Sequence, residues 1–185
     1  MIFILLFTLQ IKINYRPEVK AETLKKLIRF SGKRVEKFSP GYPDLPSFLI
    51  PIEVNPEFEY DVDYRIISKE IIRGNYEIER VKLIEEDGLS LKEIKKDFKI
   101  PFPDNLILNK GLSFIRNKPV LSLILFPVRI KEEGIEVVKE IEIILKEKGE
   151  SKIKTLEIPE DKRLSNFYKK NLIKRTEKEY LPLQS

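Results

Sequence analysis

The side chains that could carry out chemistry in this chain are few, because the sequence contains no cysteine and no histidine. Without thiolate or imidazole there is no Ser-His or Cys-His nucleophile pair, no zinc-thiolate or histidine metal site, and no disulfide. We therefore expect no catalytic residue, metal or cofactor. The carboxylate pairs Glu85–Glu86 and Glu132–Glu133 could support acid–base chemistry only in principle, since adjacent acids at turns are typical of solvated surface. The class of function that remains for this chain is binding.

The composition describes one globular domain with a substantial core. Of 185 residues, 42% are hydrophobic and 35% are charged, and a chain of this length buries about two-thirds of its unfolded surface. The net charge of +5 is dispersed, and only "KKNLIKRTEK" (169–178) concentrates basic residues, so we expect no nucleic-acid partner. No repeat or phosphate-binding glycine loop is present. Heavy use of Lys, Glu and Ile without Cys or Trp resembles a thermophile's composition.

The first ten residues, "MIFILLFTLQ", have two interpretations. The apolar run is long enough for the core of a signal peptide but too short to span a bilayer, and no Lys or Arg precedes it. It could also be a first buried strand. Residues 1–7 lack the alternation of a half-buried strand, which favours a clipped or atypical secretion signal.

Most of the chain has the pattern of antiparallel strands. In "EFEYDVDYRI" (57–66) apolar and polar residues alternate over ten positions, which predicts a strand with one solvated face; its four acids would spread along that face rather than converge on calcium. "VLSLILF" (120–126) is apolar almost throughout and predicts a central strand covered on both sides. The tip "KEEG" (131–134) predicts a hairpin to the longest strand. Further strands are expected at 76–85, 119–130 and 136–146, which together favour an all-β, jelly-roll-like sandwich.

Two segments depart from this pattern. Residues 18–30 could form a short helix, although they also suit a strand and a loop. In the tail, Leu164, Phe167, Tyr168 and Leu172 recur at helical spacing behind Pro159, which predicts a short C-terminal amphipathic helix that frays into "EKEYLPLQS". The expected organisation is a signal or first strand at 1–10, a sandwich at 11–158, and a helical tail or linker at 159–185.

The stretch "GYPDLPSFLIP" (41–51) concentrates backbone restriction ahead of a strand. Pro43 and Pro46 fix φ and push the residues before them toward extended conformations, whereas Gly41 can adopt a positive φ. Pro51 removes a ladder donor, which places its strand at an edge or a bulge. A purely structural turn would explain these features.

The order of these signals resembles the N-terminal pro-domain of the gingipain-type cysteine peptidases. The resemblance rests on Gly41, Pro43, Leu45 and Pro46, followed by the Pro101-Phe102-Pro103 segment, by Pro127-Val128 before a hairpin, and by "LSNFYKKNLIK" in the tail. Leu121-Ser122 and Arg129-Ile130 depart from the family pattern around Pro127. The cysteine and histidine of the peptidase domain are absent.

The resemblance implies a secreted or cell-envelope β-sandwich that binds a cysteine peptidase catalytic domain, in cis or in trans, assists its folding and inhibits it. It also implies a basic side chain placed in the peptidase's specificity pocket. Residues 87–110 are the natural loop for this contact, with Lys99 as first candidate and Lys96 as second. Processing is expected at Lys174 or Arg175.

An alternative class is a secreted β-sandwich that acts as a binding or accessory module of the cell envelope without a protease partner. Sugar-binding modules usually present exposed aromatic residues. The candidates here mostly fall on predicted core faces; they are Tyr42, Tyr60, Tyr64, Tyr76 and Phe102.

Overall fold

The computed structural model describes residues 8–84, 91–92, 94–115, 118–150, 172 and 179–181, and every regular element among them is a strand. All strand pairs but one are antiparallel, the exception being β3 with β6. This confirms the predicted all-β, antiparallel class. The strands are β1 Thr8–Tyr15, β2 Ala21–Leu24, β3 Leu27–Phe30, β4 Phe48–Glu53, β5 Phe58–Ile72, β6 Glu77–Ile78, β7 Leu83–Ile84, β8 Leu91–Lys92, β9 Ile107–Ile115, β10 Lys118–Leu125, β11 Val128–Lys131, β12 Gly134–Glu150 and β13 Glu179–Leu181.

Two sheets face each other across the main core. In the larger sheet β12 pairs with β5 along one edge and with β11 and β1 along the other, and β13 lies beyond β1. The smaller sheet has the order β4-β10-β9. Alternate side chains from both sheets meet between them because successive residues of a strand point to opposite faces. The core strands contribute Ile11, Ile13, Ile50, Ile52, Leu121, Leu123, Leu125, Ile141, Ile143 and Leu145.

Strand β10 is central, as its apolar sequence predicts. It lies between β4 and β9, and its outward-facing Val120 is covered by Leu172. Pro51 lies in β4, the edge strand, where a missing N–H costs no ladder bond. β12 is the longest described strand, with 17 residues, and it forms the predicted hairpin at Lys131–Gly134 with β11.

The predicted single strand at 119–130 is divided by Phe126 and Pro127. Residues up to Leu125 belong to the smaller sheet and residues from Val128 belong to the larger one. Proline has no N–H for a ladder, and it restricts the residue before it. The buried Pro127 accepts a hydrogen bond from the Val138 amide at 2.7 Å, so it marks the crossing between sheets.

Other predictions need correction. Of the two alternatives for residues 18–30, the helix is wrong and the strand is confirmed, because the segment contains the β2–β3 hairpin with Ile28 and Phe30 buried at a spacing of two. The run at 76–85 forms two short strands instead of one. Glu179–Leu181 pairs with Thr8–Gln10 instead of fraying, and Thr8–Gln10 therefore begins β1. The predicted tail helix, apart from Leu172, lies outside the described residues, as do residues 1–7.

Candidate interaction loop

The motif Gly41–Pro46 forms a platform alongside residues 79–81. The Gly41 amide donates to Val81 at 2.8 Å, the Val81 amide donates to Tyr42 at 2.8 Å, and the Asp44 amide donates to Glu79 at 2.7 Å. Leu45 and Pro46 are buried, and Leu45 belongs to a core cluster with Ile28 and Phe48. Gly41 has φ +93°, the positive value that its type predicts.

The loop 94–106 is anchored to the platform at its N-terminal end. The Lys96 amide donates to the Gly41 carbonyl at 3.1 Å. Arg80 Nη1 joins the same two residues, because it donates to the Gly41 carbonyl at 2.6 Å and to the Lys96 carbonyl at 2.8 Å. A Cβ at position 41 would lie 2.9 Å from Lys96 Cγ, so the close approach of the loop also requires glycine.

A second anchor holds the C-terminal end. Phe102 exchanges two backbone hydrogen bonds with Ile130, at 2.9 and 2.7 Å. Arg129 donates from Nε to the Pro103 carbonyl at 3.3 Å and from Nη2 to the Asp104 carbonyl at 3.1 Å. Both ends of the loop are therefore hydrogen-bonded to the sandwich through backbone and arginine.

Aromatic rings fill the space between the anchors. Phe102 is central: its ring centroid lies 4.8 Å from that of Phe38 and 4.9 Å from that of Phe98, and it stacks on Tyr42 at 5.6 Å with an interplanar angle of 10°. The Arg80 guanidinium lies 5.7 Å from the Phe98 ring centre. Such pairs add about 0.5–1.5 kcal/mol each beyond burial, so the loop is fixed by packing as well. Tyr42 and Phe102 serve this cluster rather than an exposed aromatic platform.

The two lysines proposed as contacts have different environments. The Lys96 ammonium lies 5.5 Å from the centre of the Tyr42 ring, and its backbone belongs to the first anchor. Lys99 is exposed and has no ion-pair or hydrogen-bond partner among the residues described. Ile100 beside it is 50% exposed. Residues 97–101 thus form a tip that carries one unpaired cation and one exposed apolar side chain.

Of the remaining candidates, those that the structure describes do not join the loop. Glu132 and Glu133 are exposed at the β11–β12 turn, while Glu85–Glu86 and the processing candidates Lys174 and Arg175 lie outside the described residues. On β5 the acids pair with lysines of β12 instead of converging: Asp61 with Lys148 at 3.2 Å and Asp63 with Lys146 at 3.4 Å. Within the described part of the chain no group of three acids is arranged to hold a metal ion.

The sequence did not predict that Arg80 and Arg129 anchor this loop. Each interacts with carbonyl oxygens distant in sequence, 39 and 16 residues away for Arg80 and 26 and 25 for Arg129. No local pattern marks an arginine that binds distant carbonyls.

The comparisons with known proteins support the fold. No family model and no curated protein matches the chain. Among solved structures it is similar to the complex of Porphyromonas gingivalis RgpB pro- and mature domains, with a TM-score of 0.66, 15% identity, and coverage of 88% of this chain and 90% of that chain. It is also similar to a structure on the zymogenic latency of gingipain K from the same organism, with a TM-score of 0.52, 13% identity, and coverage of 76% and 88%.

The protein is therefore an all-β sandwich that shares its fold with chains of two gingipain structures. Both alignments span most of each chain, so the resemblance predicted from the Gly41–Pro46 motif is confirmed for the fold. Among the described residues no helix has the length and hydropathy to cross a membrane.

Proposed function

We propose that this chain is a non-catalytic pro-domain, or a free-standing relative of one, that inhibits a secreted gingipain-like cysteine peptidase and assists its folding. The absence of cysteine and histidine is compatible with a binding role. The likeness to a chain in the complex of RgpB pro- and mature domains supports a peptidase catalytic domain as the partner. Location outside the cytoplasm follows from the same proposal.

The observation that carries the proposal is Lys99 on a tip between two anchors. A lysine on an extended, pre-ordered segment can place its ammonium against a carboxylate inside a specificity pocket. Because the anchors at Lys96 and Phe102 order the loop before binding, little conformational entropy is lost on association. Lys96 is the second candidate, although its contact with Tyr42 directs it toward the base of the loop.

The inhibition test uses the mature domains of RgpB and gingipain K as probes. We expect the purified chain to inhibit at least one of them, and Lys99→Ala to raise the inhibition constant about 30-fold or more, since removing one partner of a buried charge pair costs about 2–5 kcal/mol. Lys20→Ala is the matched control, because Lys20 is also exposed and its side chain has no partner among the described residues.

Two results would contradict the proposal in different ways. Equal inhibition by the wild type and Lys99→Ala would remove Lys99 as the contact, and a loss with Lys96→Ala instead would transfer the role to Lys96. If the wild-type chain inhibits neither peptidase, the inhibitory role is contradicted. If it does not increase the yield of refolded peptidase, the chaperone role is contradicted.

Processing is proposed at Lys174 or Arg175, because two adjacent basic residues are a natural substrate for a peptidase that accepts a basic residue. Incubation with the active peptidase, followed by mass spectrometry, should show cleavage after one of these residues. A fragment pattern that leaves this pair intact would contradict the assignment.

A further inference from the structure

A concave surface lies beside the platform and contains an excess of positive charge. This cleft, here called the basic cleft, has a volume of about 280 Å³. Cations predominate among its lining residues, which are Arg34, Lys37, Asp44, Glu79, Arg80, Val81 and Lys82.

The two acids of the basic cleft already have partners. Asp44 accepts from Arg34 Nε at 2.7 Å, and Glu79 lies 3.2 Å from Arg29 Nε. The acids of the cleft therefore do not neutralise Lys37, Lys82 or Arg80. Arg80 is hydrogen-bonded to carbonyls, which carry no net charge, and neither lysine has an ion-pair partner among the described residues. Three cations of the cleft therefore have no opposite charge beside them among the residues that the structure describes.

The basic cleft is continuous with the loop. Arg80 lines the cleft and also binds the carbonyl of Lys96. Lys37 lines the cleft and precedes Phe38, whose ring lies 4.8 Å from that of Phe102. A molecule that occupied the cleft would therefore lie next to any partner that covers the loop tip.

We infer that the basic cleft binds carboxylates of an acidic segment on the same protein partner that contacts the loop. The identity of that partner rests on the proposed function, whereas the chemistry of the cleft does not. A protein segment is favoured over nucleic acid because none of the described residues that line the cleft is aromatic and able to stack on a base. Uncompensated charges at the edge of an interface mainly accelerate association and select the partner.

The test uses a hexaglutamate peptide as the probe and the isotope-labelled full chain as the target, with NMR shifts as the readout. We expect the backbone amides of Lys37, Val81 and Lys82 to shift on titration. The variant Lys37→Glu with Lys82→Glu should weaken binding by about tenfold or more, as expected when two attractive contacts become repulsive.

The control variant is Lys20→Glu with Arg73→Glu, which changes the net charge equally at two exposed cations that do not line the cleft. It should retain affinity within about twofold. Retained amide spectra will show that each variant is folded, and Lys37→Gln with Lys82→Gln provides a milder pair if charge reversal unfolds the chain.

Several outcomes would overturn the inference. Equal weakening in both reversal variants would show attraction to net charge alone, and shifts confined to other residues would place the peptide elsewhere. Tighter binding of an eight-residue deoxythymidine oligonucleotide in the cleft would favour nucleic acid. None of these results depends on a peptidase, so they are distinguishable from a failure of inhibition by the Lys99 loop.

Discussion

The outer face of strands β5 and β12 differs from the surface around the loop in how its charges are compensated. On the strands nearly every charge faces an opposite charge, and together these residues form what we call the charge ladder. Around the loop, Lys37, Lys82 and Lys99 have no such partner in the described part of the chain. The ladder pairs are Asp61–Lys148, Asp63–Lys146, Arg65–Glu142 and Lys69–Glu136, and Glu136 also pairs with Lys131 of the neighbouring strand β11.

The difference separates charges that serve the fold from charges available to a partner. Cross-strand pairs contribute roughly 0.2–1 kcal/mol each and disfavour other registers. An unpaired exposed lysine contributes little to folding, and it needs no ion pair to be broken before it binds. The loop is nevertheless ordered by hydrogen bonds to backbone carbonyls and by contacts between aromatic rings. Because these contacts involve no acidic side chain, they do not neutralise the cations around the loop.

Gly41→Ala should have the largest effect, because it breaks the platform on which the loop rests. The positive φ costs about 1–2 kcal/mol for an L side chain, and the new Cβ would lie 2.9 Å from Lys96 Cγ and 3.3 Å from Ile94. We expect a loss of about 3 kcal/mol in the free energy of unfolding, measured by urea denaturation.

Gly111→Ala is the matched control, since Gly111 has φ +86° but a Cβ added there would meet no atom within 4 Å. It reports the backbone strain alone. An equal loss in the two variants would mean that crowding of the loop against the platform contributes nothing.

Gly41 also shows which features can be predicted from sequence. Its positive φ, the edge position of Pro51 and the central position of β10 follow from local backbone preferences and hydrophobic pattern. Segments as short as β2 and β3, of four residues each, contain too few positions to separate a period of two from a period of 3.6. The arginine anchors and the basic cleft depend on contacts between residues far apart in the chain, and no spacing predicts those.

Glu136→Gln should have the next largest effect, because it removes the one fully buried charge of the ladder. Glu136 is 0% exposed, and its Oε2 accepts from Lys69 at 2.8 Å and from Lys131 at 2.9 Å. We expect a loss of about 2 kcal/mol in the free energy of unfolding at pH 7. Glu132→Gln, an exposed acid of the same hairpin, should change it by less than about 0.5 kcal/mol.

The pH dependence of the free energy of unfolding tests the Glu136→Gln prediction further. Burial alone would raise the pKa of Glu136, but the hydrogen bonds and charges of Lys69 and Lys131 outweigh it and hold the pKa below its ordinary value of 4.5. A depressed folded-state pKa contributes stability that is present above the unfolded pKa and is lost as pH falls through the folded one. The difference between wild type and Glu136→Gln should therefore shrink below about pH 4.5. A stability difference that increases as the pH falls would contradict the ion pairs of Glu136 with Lys69 and Lys131.

Arg80→Met should have a smaller, local effect at the loop. It removes both hydrogen bonds from Arg80 Nη1 while keeping much of the aliphatic volume. We expect the Lys96 amide, which donates to Gly41, to exchange its hydrogen about tenfold faster, with little change in global stability. In Arg129→Met, which affects only the second anchor, exchange at Lys96 should stay near the wild-type rate. Equal acceleration in both variants would mean that the loop opens as one unit.

Asp61→Asn should have the smallest effect, because Asp61 and Lys148 are 58% and 63% exposed. Solvent screens such a pair, and ordering two flexible side chains costs entropy. We expect less than about 0.5 kcal/mol of lost stability, and a similarly small coupling energy in a double-mutant cycle with Lys148→Met. A coupling above about 1 kcal/mol would show that exposed charges determine the β5–β12 register. The small coupling energy that we expect would instead indicate that Tyr60, Val62 and Ile66 determine the register. These side chains pack against the core from the opposite face of β5.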